Sequence, residues 1–131
     1  MITNQSFNSD PDLITLNATV VTAASINIPD GNTASVILGV LARGLTDGAS
    51  AMWEVRGQVK NIGGVLTAVP AGIINVFAAR KDVAAAAWDA TFTISGTDIL
   101  VRVTGSATQS VGWSFIFNVV GFSNFNVGGI I

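Results

Sequence analysis

The chain has 131 residues and a net charge of −2; half its residues are apolar and 11% are charged, against about 25% charged in an average soluble domain. It contains no His, Cys or Tyr, which excludes Ser-His-Asp and Cys-His nucleophile systems, thiolate redox chemistry and the commonest transition-metal ligands. Its two Lys and four Arg form no basic patch for nucleic acid, and no apolar run reaches the roughly 18 residues of a membrane-crossing helix.

Residues 1–12 are polar, broken by Asp10-Pro11, and carry Phe7 as their one large aromatic. They read as an arm held against a neighbour, with neither the basic nor the apolar region of a secretion signal. The sequons at Asn4 and Asn17 therefore carry no meaning. From Leu13 the pattern alternates and becomes β-branched, predicting strands near 13–22 and 25–28. Pro29-Asp30-Gly31-Asn32 is a turn. A nearly all-apolar strand follows at about 34–43, and Asp47-Gly48 marks the next turn.

Residues 51–61 alternate most cleanly. Ala51, Trp53, Val55, Gly57 and Val59 share one face, and Glu54, Arg56, Gln58 and Lys60 the other. This is the pattern of a half-buried antiparallel strand with a solvated side. Gly63-Gly64 breaks it, and strands near 65–69 and 73–79 follow. Residues 82–87 form a short helical turn with Asp82 as a candidate cap. Trp88, at a strand entrance, is the one tryptophan expected to be exposed. A hairpin with Gly96-Thr97 as a type II′ loop sets Ser95 against Asp98, Ile94 against Ile99, Phe92 against Val101 and Thr91 against Arg102.

The segment 111–122 is a strand apolar on both faces. Trp113, Phe115, Phe117 and Val119 point one way, and Ile116, Val120 and Phe122 the other. Both faces of a strand are buried only where something packs on each side of its sheet. A chain this short covers one face itself, so the other is expected to meet another subunit or a larger surface. The ending SNFNVGGII places Phe125, Ile130 and Ile131 around Gly128-Gly129, a tail suited to docking on a partner.

These readings add up to an all-β protein: an antiparallel, jelly-roll-like β-sandwich over 13–122, with an N-terminal arm (1–12) and an apolar C-terminal tail (123–131). Phe7, Trp113, Phe115, Phe117, Phe122, Phe125, Ile130 and Ile131 are the candidate subunit-interface residues. No phosphate-binding or metal-spacing motif occurs, and no cofactor, metal or catalytic residue is expected. Asp10/Asp12 and Asp30/Asn32 offer too few oxygens for calcium and read as turn residues. An enzyme would require Asp89 or Asp98 to converge with Glu54.

The run Trp53 to Asn61, then Gly63-Gly64 and Pro70, Ala86-Ala87-Trp88, Leu100 to Gly105 and Val111-Gly112-Trp113 together resemble a pattern of bacteriophage virion accessory proteins. The likeness spans roughly residues 51–120. It implies a β-sandwich, often trimeric, displayed on a virion without catalytic residues. The absence of a repetitive shaft or heptads departs from long fibres and favours a capsid decoration or cement piece that binds a major capsid or tail protein. A host-surface glycan or protein recognition module is the alternative, for which exposed aromatics near Trp88 or the Asp47-Gly48 loop are expected.

Overall fold

A computed structural model of the chain describes residues 10–69 and 75–123, with the backbone alone at 75–78. It is all-β and antiparallel, with strands β1 (Leu13–Thr15), β2 (Val21–Asn27), β3 (Asn32–Gly44), β4 (Ser50–Ile62), β5 (Val65–Ala68), β6 (Asn75–Lys81), β7 (Asp89–Ser95), β8 (Asp98–Thr104) and β9 (Val111–Ser123). The larger sheet runs β1-β9-β3-β4-β5, with β6 also pairing β4; the smaller sheet runs β2-β8-β7. The chain passes between sheets at β1–β2, β2–β3, β6–β7 and β8–β9. No helix among the described residues is long and apolar enough to cross a membrane.

Alternation along the strands builds the core. Val36, Leu38, Val40 and Ala42 of β3, Trp53, Val55 and Val59 of β4, and Val111 and Trp113 of β9 face Ala90, Ile99, Val101 and Val103 of the smaller sheet in one buried cluster. Trp53 and Trp113 stack there with ring centroids 5.6 Å apart and planes at 25°. The Trp113 indole N–H donates to the Thr15 hydroxyl at 3.0 Å, which ties β1 to β9 and satisfies a donor that burial would otherwise strand.

Turn chemistry punctuates the strands as predicted. Gly63 and Gly64 take φ of 64° and 82°, joining β4 to β5 through Ile62↔Val65, the signature of a type I′ hairpin. Gly96 takes φ of 61° while Thr97 stays out of the left-handed region, in keeping with type II′. The β7–β8 register sets Ser95 opposite Asp98, Ile94 opposite Ile99, Phe92 opposite Val101 and Thr91 opposite Arg102.

Three local expectations are corrected. The stretch read as one strand over 13–22 is split, because β1 joins the larger sheet and β2 the smaller, with a bulge between Thr22 and Ala24. The helical turn is a single 3₁₀ turn over Val83–Ala85, and Asp82 does not cap it. Its carboxylate instead accepts the Ser50 N–H at 2.9 Å, pinning the turn to the start of β4. Trp88 is buried rather than exposed. The Trp88 N–H donates to Ala85 O, and this tight bend folds the indole inward. Lys81 Nζ then donates to the Trp88 carbonyl at 2.6 Å while lying 5.4 Å from the Trp53 ring centroid, a favourable cation–π arrangement.

Two carboxylates brace the rim. The Asp98 carboxyl is held below its ordinary pKa by Asn27 Nδ2 and the Ser25 hydroxyl. Asp47 is lowered by the Ala49 backbone N–H and the Gln109 side chain. A folded-state pKa below the unfolded one contributes stability above the unfolded value and loses it as pH falls through the folded value. The melting temperature is therefore expected to fall on acidification below about pH 4, where free aspartate titrates. Asp98→Asn should flatten that profile in circular dichroism melts. An identical acid slope in the variant would remove Asp98 as a cause.

Candidate functional site

The β3–β4–β9 pleats send every second side chain away from the core, and the outward set is unevenly composed. On β4 it is Glu54, Arg56, Gln58 and Lys60, flanked by exposed Met52 and Ile62, with Glu54 and Arg56 paired at 2.9 Å. On β9 it is Ile116, Asn118, Val120 and Phe122, of which Ile116 is 77% and Phe122 71% exposed. Between them, β3 presents Ile37, Gly39 and Leu41. The face thus grades from charged over the middle of β4 to apolar over β9. Surface apolar residues are commonplace singly, but a contiguous patch marks an interaction site.

A groove of about 880 Å³ crosses this face, lined by Ile37, Gly39, Leu41, Met52, Glu54 and Ile116 among others. Gly39 sits in register between Ile116 and Glu54, and the missing side chain makes the depression. A Cβ there would meet Ile116 only at ordinary contact distance, 3.7–3.8 Å, so the dip results from residue choice and not from backbone crowding.

The edge of β9 is a second unpartnered feature. β1 pairs it only over Val111–Trp113. Just beyond, the Asp12 N–H donates to Trp113 O at 2.8 Å, and the Asp12 carboxylate accepts the Phe115 N–H at 2.9 Å. Odd-numbered residues of β9 therefore turn their backbone groups away from β3. Among the described residues, no strand pairs with that side from Phe117 to Ser123.

The sequence-expected interface residues separate accordingly. Trp113 is corrected: it is fully buried against Trp53 within its own chain, because β1 and the smaller sheet cover that end of β9. Phe115 and Phe117 are half-buried at the core margin, with ring centroids 5.7 Å apart. Phe122 is exposed. Phe7, Phe125, Ile130 and Ile131 lie outside the described residues. Sequence reading passed over Ile116 and Val120 as site residues, although both were visible on the second face of the strand.

The acidic residues do not converge. Glu54 lies on the outer face of the larger sheet beside Arg56, Asp98 joins β8 to Ser25 and Asn27 of β2, and Asp89 binds the Ala90 N–H. Among the described residues no group of three or more His, Cys, Asp or Glu is placed to hold a metal. Asp30 accepts the Gly64 N–H and Asn32 donates to the Pro29 and Asp30 carbonyls, which are turn contacts.

No family model matches the chain, and no curated protein matches it. Among solved structures it is similar to the tailspike protein of Acinetobacter phage vB_ApiP_P1, with a TM-score of 0.48 and 18% identity. That likeness covers 95% of this chain and 24% of the tailspike.

Proposed function

We propose that the chain is a non-enzymatic structural component of a bacteriophage particle that works as part of an assembly: it associates with copies of itself and fastens onto a capsid or tail protein of the virion. The observation that carries this reading is the bare apolar half of the outer face, Ile37, Leu41, Ile116, Val120 and Phe122, on a chain with 11% charged residues. Burial at roughly 25 cal/mol per Å² gives such a face a strong drive to be covered. The sequence resemblance to virion accessory proteins supplies the setting, and with it a decoration or cement role on the particle surface.

The alternative of host-surface recognition loses support at Trp88, which is buried; the Asp47-Gly48 loop is braced by Gln109 and Ala49. The deciding experiment follows the chain through purification of assembled particles and measures its mass in native buffer. Retention on particles through density-gradient banding, with an oligomeric free form, is the expected result. A monomer absent from particles would overturn the reading.

A further inference from the structure

Resting on the reading of the chain as an assembly component, we propose that β9 pairs edge to edge with β9 of a second copy. The two strands run antiparallel about a two-fold axis through Asn118, so that two larger sheets become one.

Natural sheets protect an exposed edge with charge, proline, a bulge or brevity. Here β9 runs 13 residues in unbroken register with β3, and it contains no charged residue and no proline. Its outward N–H and C=O groups at Phe117, Val119 and Gly121 follow the direction set at Trp113 and Phe115. Asp12 closes the edge at one end by occupying the Phe115 N–H, which fixes how far an added strand reaches.

Among possible occupants, a second β9 fits by its own pattern. An axis at Asn118 sets Phe117 against Val119 on one face and Ile116 against Val120 on the other, each twice; at its ends Ser114 faces Phe122, and Phe115 over Gly121 offers only its carbonyl, its N–H being held by Asp12. Aromatic and β-branched cross-strand pairs of this kind stabilise sheets. The two Asn118 side chains meet at the axis, where amides hydrogen-bond to each other. Other axes lose this match. At Val119, Asn118 faces Val120. At Val120, Asn118 faces Phe122 and Phe117 faces Ser123. At Ile116, Val119 is driven against Trp113, whose carbonyl is already taken. Neighbouring axes shift the register by two residues and keep the faces, so the side-chain pairs along each face select among them. Ile116, Val119, Val120 and Phe122 are exposed on each copy, so these cross-strand pairs bring together apolar surface that a single chain leaves in water. Its symmetry differs from the three-fold arrangement that the resemblance implies.

The chain has no cysteine, so a single engineered thiol reports the contact. Asn118 and its symmetry mate form a non-hydrogen-bonded antiparallel pair with Cα atoms about 4.5 Å apart, within disulfide reach. Under mild oxidation of the full chain, Asn118→Cys should form a linked dimer at least about tenfold faster than Val120→Cys, whose mate lies several residues away. Val119→Pro removes an outward N–H while sparing the β3 ladder, a position edge strands tolerate. It should shift the native mass from dimer to monomer with an unchanged circular dichroism spectrum. Equal crosslinking at 118 and 120 would overturn the proposal, as would a native trimer or monomer. Either of those masses found together with particle retention would leave the assembly function standing while removing this contact. A monomer with slowly exchanging amides at Phe117 and Val119 would give the edge to the chain's own ends, again overturning it.

Discussion

The double variant Ile116→Asp/Phe122→Asp should abolish association while leaving the fold intact. Both side chains project from the outer face of β9, 77% and 71% exposed in the single chain, and neither contributes to the buried cluster. Their replacement costs the isolated domain only the strand-propensity penalty, about 1 kcal/mol at most for each. In an assembly each would be buried, and burying one such side chain is worth roughly 1.5–3 kcal/mol. Losing both exceeds about 3 kcal/mol, more than a hundredfold in affinity, before the cost of burying a carboxylate is added. Sedimentation velocity across a concentration series reads this directly. Association unchanged from the native chain would mean that the apolar half of the outer face is simply a tolerated surface.

Trp113→Ala should have the opposite profile. Trp113 is completely buried, stacks on Trp53 at 5.6 Å and donates its indole N–H to Thr15. Truncation removes the ring, opens a cavity and leaves the buried Thr15 hydroxyl without this donor. Large aromatic-to-alanine changes in cores cost about 3–5 kcal/mol, which corresponds to a fall in melting temperature on the order of 10–20 °C for a domain of this size. Trp113→Phe keeps most of the packing and loses the hydrogen bond, so its loss should be no more than about half as large. Thermal melts of the pair test the assignment. A melting temperature within 2–3 °C of the native value for the alanine variant, on the order of the shift from a single kcal/mol, would contradict the placement of this indole at the centre of the fold.

The contrast between Trp113 and Ile116 shows what the sequence could carry. The two-faced character of 111–122 was legible because period-two alternation is local, and so were the β7–β8 hairpin and the glycine turns. Which of the two faces the chain itself would cover was not. That depends on β9 entering between β1 and β3, a pairing between residues as far apart as Thr15 and Trp113, 98 positions. On face alone Trp113 therefore reads as an interface residue, although the covering residues Leu13–Thr15 lie far off in the sequence. Trp88 escaped for a related reason: its burial comes from a 3₁₀ turn anchored by Ser50 through Asp82 and from a Lys81 contact, none of which alternation encodes. The break between β1 and β2 was hidden because strands serving different sheets share one alternating, β-branched pattern. On the outer face, Ile37 and Leu41 sit on β3 among residues whose neighbours are all buried, so composition alone made the whole strand look interior.

The position of β9 also sets an order of events during synthesis. β3 finds β4 at once, as its hairpin neighbour, but its other side waits for the last of the described strands to leave the ribosome. At roughly 5–20 residues per second, the interval between translating Gly44 and its partner Val111 is roughly 3–13 s. Through that time the nascent chain carries an open flank along Asn32–Gly44, and Trp53 waits for its stacking mate Trp113. Distant pairings of this kind slow folding and lengthen exposure to misassembly. A chain stalled anywhere before Val111 would hold a larger sheet that lacks β9 and need a chaperone, and release of β9 would be the step that commits the described strands to the finished form.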